Sequence, residues 1–219
     1  ITGLDPDSLR VQLLTDAMAE AYGVPGPGLE GYLFPETYRI AQGVPLERVL
    51  ATMTDGWKRF WTDERLARLE ALEMTRAEVT TIASIIQAEA GNLEEMTTIS
   101  AVYHNRVRQG WLLQADPTVL YALGGPRDRL LFAAIDSVAD NPYNTYRNPG
   151  LPPGPIGAPG EAALDAALNP DDVPYMFFVA GPDGGHVFSV TQAEHNRAVA
   201  DYRRRRAEAR RANRGDDLR

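Results

Sequence analysis

The segment from Thr75 to Gly91, TRAEVTTIASIIQAEAG, restricts the possible folds more than any other stretch of the chain. Val79, Ile82, Ile85 and Ile86 recur at helical spacing, with the small Ala83 and Ala90 among them. A helix this rich in isoleucine has to be packed, because burying each large aliphatic side chain is worth roughly 1.5–3 kcal/mol. Thr75 followed three residues later by Glu78 predicts where it starts, through a capping box in which each side chain satisfies an orphan amide. One residue breaks the pattern. At about 100° per residue from Val79, Ile85 falls at about 240° and Ile82 at about 300°, with Glu89 between them at about 280°. Gln87 falls at about 80°, outside the apolar arc. A carboxyl pressed against isoleucines resists ionisation, and a general acid working near neutral pH needs that property. Position alone leaves a second reading open, in which a last-turn side chain curls out to water. Glu78 shares the arc, but its capping role accounts for it.

The elements around this helix are also mostly helical. Amphipathic spacing predicts helices over Asp7–Tyr22, Leu46–Trp61, Asp63–Leu72, Leu93–Gln109 and Glu161–Leu168. Asp116-Pro117 reads as a helix start, with Asp as cap and Pro at the first position. Leu29–Ile40, interrupted by Pro35, reads as loop plus short strand. The Pro/Gly-dense run from Asn141 to Gly160 reads as a long irregular segment, and its Tyr143, Tyr146 and Leu151 argue that it is ordered. Tyr175–Ala180 and His186–Val190 flank GPDGG as a hairpin, and Thr191 caps a last helix. The expected fold class is therefore α+β, mainly α-helical with a small β-hairpin. Residues 1–72 form an N-terminal part, a lid or subdomain, residues 73–202 a core, and residues 203–219 a basic tail that frays.

Charge narrows the function. Residues 203–219 carry a net of +5, so the overall −8 leaves −13 on the rest. An acidic body does not suit a nucleic-acid enzyme, since phosphate must be met by cations. There are no cysteines, which excludes disulfides and thiol chemistry. No apolar run reaches the roughly 18 residues that span a bilayer. The chain begins at Ile1 rather than Met, which suggests a fragment that has lost an N-terminal targeting segment. His104 and His195 lack the partner spacing of a metal site, and neither a metal nor a cofactor is expected.

Other segments gather polar and aromatic residues of the kind that bind sugars. GLEGYLFPETYRI holds Glu30, and AVYHNRVRQGWLLQADPTVLYALG holds Asn105, Gln114 and Asp116. YNTYRNPGLPPGPI supplies Tyr143, Asn144 and Tyr146, and GGHVFS supplies His186. Rings stack on the CH faces of sugars, while amides and hydroxyls bond their hydroxyl and acetamido groups. Each residue also has a plainer reading: Asp116 as a helix cap, His186 as a satisfied hairpin residue, and the tyrosines as self-packing in a rigid loop.

Taken in order from about Leu29 to Asn196, the segments LEGYLFPETY, ASIIQAEA, NRVRQGWLLQADPTVLYALG, YNTYRNPGLPPGPI and GGHVFS resemble the YceG-like family of endolytic murein transglycosylases. The resemblance implies a YceG-like catalytic domain. In the family, a transmembrane anchor and a LysM-like part precede it. It also implies action on peptidoglycan glycan strands at the extracytoplasmic face of the cytoplasmic membrane, near cell-wall synthesis proteins, with membrane contact only through that anchor. The family's catalytic glutamate aligns with Glu89. Many members carry Glu where this chain has Gln87, so Glu89 is the only acid left in the motif. The implied reaction cuts the β-1,4 bond between N-acetylmuramic acid and N-acetylglucosamine and forms 1,6-anhydro ends, with Glu89 as acid and then base. Glu30, Asn105, Gln114, Asp116, Tyr143, Asn144, Tyr146 and His186 are the expected substrate contacts. The rival expectations are a hydrolytic muramidase with Asp116 or Glu30 as second carboxylate, and a non-catalytic glycan-binding module.

Overall fold

Helix α5 (Arg76–Glu89) is the element on which the others pack in the computed structural model, which describes residues 5–127 and 130–216. Its capping box is formed. The Glu78 N–H donates to Thr75 Oγ1 at 3.2 Å, and the Thr75 N–H donates to Glu78 Oε2 at 2.8 Å. Every residue from Val79 to Ile86 is buried. The polar ones are accommodated because the hydroxyls of Thr80, Thr81 and Ser84 each donate to a carbonyl one turn back. Helices α6 (Met96–Arg108), α7 (Asp116–Ala122) and α9 (Glu161–Leu168) lie against it. The α9 face is built from Ala163, Ala166 and Ala167 with Leu164 and Leu168, and its small side chains allow close backbone approach.

The N-terminal part packs on the same core. Where amphipathic spacing predicts one helix from Asp7 to Tyr22, there are two, α1 (Pro6–Leu13) and α2 (Asp16–Tyr22). Thr15 caps a fresh start by accepting the Met18 N–H, and the Leu13 carbonyl is taken by the Leu29 N–H at 2.7 Å. That long-range bond uses the acceptor a continuous helix would need. The stretch from Leu29 to Ile40 forms no strand; it is irregular chain that buries Leu29, Tyr32 and Phe34. Tyr32 meets Trp57 of α3 (Leu46–Phe60) edge-on at 5.0 Å, and the Trp57 indole N–H donates to Thr80 Oγ1. On α4 (Asp63–Ala71), Arg65 donates to Glu161 and Asp165 of α9 and to the Phe60 carbonyl. One hydrophobic cluster thus runs from Ala19 to Leu168.

A further short helix, α8 (Phe132–Ser137), arises in a stretch for which sequence periodicity predicts nothing. The Asn141–Gly160 segment has no regular structure but is tied down. The Ile156 N–H donates to Ser84 Oγ at 3.0 Å, and the Gly160 N–H to Gln87 Oε1 at 3.2 Å. Gly31 presses directly on it: at φ +85°, an added Cβ would lie 2.4 Å from Pro155. Strands β1 (Phe177–Ala180) and β2 (His186–Ser189) pair antiparallel, Phe177 opposite Ser189 and Ala180 opposite His186. The hairpin packs on α6 and on α10 (Gln192–Asp216). The segment expected to fray is helical as far as Asp216, and positions 217–219 lie outside the described residues. Among the described residues, no helix is long and apolar enough to cross a membrane.

Candidate active site

Glu89 ends α5, and its half-buried side chain opens into a cavity of about 430 Å³. Gln87, two residues earlier, is exposed and spends its carbonyl oxygen on the Gly160 amide. The Tyr103 hydroxyl, from α6, donates to Glu89 Oε1 at 3.1 Å. Burial pushes the Glu89 carboxyl up to about 7, with the nearby charge of Asp116 adding to the rise. The Tyr103 hydroxyl and the Arg106 charge pull the other way and are outweighed. Burial and the adjacent Glu89 hold the Tyr103 phenol far above its ordinary range, so it remains a hydrogen-bond donor.

Arg106 lies one turn along α6 and is buried. Its guanidinium donates to the carbonyls of Met176 and Leu113 and sits over the Phe177 ring. It therefore fixes both the approach to β1 and the loop before Gln114. Gln114 itself has φ +48°, a left-handed conformation uncommon outside glycine and often found at functional sites. Its backbone N–H donates to the Thr145 carbonyl at 3.1 Å. Asp116 is not the cap of α7. Ala115 occupies that position, and Asp116 Oδ1 instead accepts from the Tyr146 hydroxyl at 2.6 Å. Burial, and the cost of losing that donated proton beside Asp116, push the Tyr146 phenol upward.

The hairpin forms the opposite wall. His186 donates its backbone N–H to Glu95 Oε1 at 2.7 Å, and its Nδ1 lies 3.0 Å from Glu95 Oε2. Burial alone would raise Glu95, but the His186 contacts outweigh it and hold the carboxyl below its usual range. Gly185 makes this contact possible, since a Cβ there would lie 2.4 Å from Glu95 Oε1. His195 of α10 stacks on Phe177, with ring centroids 5.2 Å apart. Burial and the nearby Arg106 charge lower its pKa.

Of the residues expected from sequence, Glu89, Gln114, Asp116, Tyr146 and His186 line this one cavity. Four lie elsewhere. The Asn105 amide donates to the carbonyls of Val173 and Tyr175, and Asn144 donates to those of Ile135 and Val138. Asn144 Oδ1 also accepts the Tyr146 N–H, so it shapes the loop that carries Tyr146. Glu30 accepts from the Tyr121 hydroxyl, whose ring packs against Tyr143 at 4.7 Å, and neither Glu30 nor Tyr143 lines the Glu89 cavity. Sequence reasoning missed Tyr103, Arg106, Gln192 and His195. Arg106 carried a usable signal: like Glu89, it is a charge on a helix face that otherwise packs inward. Among the described residues, no group of three or more His, Asp or Glu is placed to hold a metal ion.

The profile of the YceG-like family matches residues 6–201. A Bacillus subtilis strain 168 protein named endolytic murein transglycosylase is 38% identical over 175 residues, covering 80% of this chain and 48% of that protein. A protein of the same name from Streptococcus pneumoniae serotype 2 is 33% identical over 182 residues, covering 80% of this chain and 32% of that one. The chain thus spans half or less of the length of these curated relatives. The crystal structure of a yceG-like protein from Listeria monocytogenes superposes with a TM-score of 0.77 at 32% identity, covering 89% of this chain and 67% of that one. The fold is the mainly helical α+β arrangement of that structure, and the chain belongs to the YceG-like family.

Proposed function

We propose that this chain is the catalytic part of a peptidoglycan lytic transglycosylase acting at the extracytoplasmic face of the bacterial membrane. It cuts the β-1,4 bond between N-acetylmuramic acid and N-acetylglucosamine. The observation that carries this reading is the placement of one carboxyl, Glu89, at the edge of a polar cavity, where burial raises it to about 7. With Oε1 engaged by Tyr103, Oε2 is the oxygen that presents its proton to the glycosidic oxygen. As the C1–O bond breaks, the proton passes to the leaving sugar and positive charge develops at the muramic C1. The Glu89 carboxylate then takes the proton of the C6 hydroxyl on the same sugar, and O6 closes onto C1. One residue serves as acid and then base, and no water is consumed. Tyr103 and Arg106 favour the carboxylate midway through the cycle. Gln114, Asp116, Tyr146 and His186 bind the sugars around the cleaved bond.

Asp116 shares the cavity, so hydrolysis with Asp116 as second carboxylate is the competing reading. Mass spectrometry of digested glycan strands separates the two. Anhydro ends, lighter by one water, support the transglycosylase, and reducing muramic ends support hydrolysis. Glu89→Gln should lower product release by about 10²–10⁴-fold, the usual contribution of a general acid. Undiminished release by that variant would refute the assignment.

A further inference from the structure

The cavity at Glu89 continues into a second one of about 590 Å³. Asp116, Tyr146, Phe178, Val179, Gln192 and His195 line both, so the two are arms of a single groove. Glu89 lines only the first arm. The second arm is chemically different. Its walls add Leu130, Leu131, Phe132 and Ile135 on one side and Val199 of α10 on the other. Phe132 is 84% exposed and Leu131 52% exposed, an apolar rim with no protein cover among the described residues.

Beyond Asp116, Tyr146 and His195, which it shares with the first arm, the polar groups of this arm come from one helix face. Gln192, Asn196, Val199 and Arg203 recur at the spacing that puts them on the groove side of α10. Gln192 Nε2 donates to Asn196 Oδ1 at 2.9 Å, which leaves the Gln192 oxygen as an acceptor and the Asn196 NH₂ as a donor. That pair complements a peptide group. Arg204 is engaged by Asp201 at 2.9 Å, whereas Arg203 has no ion-pair partner among the described residues. A free guanidinium at the end of an apolar trough suits a carboxylate, which it binds with two parallel hydrogen bonds.

We propose that this second arm binds the peptide stem carried on the lactyl group of the muramic sugar, a short chain of small apolar side chains and free carboxylates. The proposal rests on the lytic reading above, and the groove supplies the geometry. A muramic residue whose C1 lies at Glu89 leaves its lactyl substituent free to run past Asp116 and Tyr146 into the second arm. Alanine methyls meet Leu131, Phe132 and Val199, a backbone amide meets Gln192 and Asn196, and a stem carboxylate meets Arg203. A further saccharide is the competing occupant, and the apolar side chains that this arm adds, Leu130, Leu131, Ile135 and Val199, offer little to its hydroxyls.

The test measures binding of stem-bearing and amidase-stripped glycan strands to the Glu89→Gln variant by calorimetry. Stem-bearing strands should bind about tenfold more tightly, the scale of one good charge-assisted contact. Arg203→Ala in that background should bring the two affinities to within about twofold of each other. Arg205→Ala, about 200° further round the helix, should preserve the difference. Equal affinity for both strands, or a preference untouched by Arg203→Ala, overturns the stem site. So does an Arg203→Ala loss that is equal for both strands, which would place sugar in the arm. Cleavage of stripped strands by the unmodified protein distinguishes the two kinds of failure. Cutting without stem preference removes the stem site alone, whereas no binding or cutting of either strand removes the lytic reading with it.

Discussion

Glu89→Gln should stabilise the protein at alkaline pH while it disables the proposed chemistry. The folded environment raises the Glu89 carboxyl from 4.5 to about 7. Between those values the folded state holds a proton that the unfolded chain has released, so stability falls as pH rises through this window. Below about 4.5 both states are protonated, and above about 7 both are ionised, so the loss is confined to the interval between. At about 1.36 kcal/mol per pKa unit, the full shift corresponds to about 3 kcal/mol, an upper bound because the side chain is only half-buried. Gln carries no such penalty. Urea unfolding at pH 4 and pH 8 should therefore show the stability of the variant, relative to the unmodified protein, rising by about 1–3 kcal/mol between the two conditions. Any fixed difference between Glu and Gln packing cancels in that comparison. A relative stability that stays flat or falls with pH would mean that Glu89 is not held against its ionisation, and the acid role would lose its physical basis.

Two other perturbations probe the surroundings. Tyr103→Phe keeps the buried ring but removes the hydroxyl that favours ionised Glu89; the alkaline limb of product release should move up by about one pH unit, and an unmoved or lowered limb argues against the contact. Gly31→Ala places a methyl 2.4 Å from Pro155 at a φ of +85°, and thermal melting should show a loss of about 2–4 kcal/mol; a loss under 1 kcal/mol would mean that the Pro-rich segment is not held there.

Legibility in the sequence followed the nature of the signal. Helix α5 and its start could be read because a capping box and an isoleucine stripe are local features, and the same stripe exposed Glu89 as out of place. α9 matches its expected limits because Gly160 and Asn169 bound an alanine-leucine run. The break at Thr15 was hidden, since it depends on Leu29 reaching back to Leu13 from a distant turn. α8 is too short to show a period. Asn105 and Asn144 were indistinguishable from sugar ligands by type, because an amide that satisfies a buried carbonyl looks the same in sequence as one that meets a hydroxyl. Asp116-Pro117 has the wording of a cap, yet the carboxylate is drawn to Tyr146, a partner that only the fold brings near. Tyr103 passed as an ordinary helix residue because its importance comes from Glu89, whereas Arg106 was marked as a charge on an inward face but its carbonyl partner at Met176 lies far along the chain.

Arg106, Asn105, Asn144 and Ser84 hold the groove by gripping main-chain atoms of Met176, Leu113, Val173, Tyr175, Ile135, Val138 and Ile156. Every amino acid presents the same carbonyl, and all but proline the same N–H, so these bonds do not themselves depend on the side chains of the residues being gripped. The dependence is lopsided: the few grippers need their own side chains for these bonds, whereas Leu113, Met176 and Ile135 are constrained by burial instead. The exposed rim residues Leu131 and Phe132 take no part in these bonds, so exchanging them should retune what the groove admits without loosening the grip.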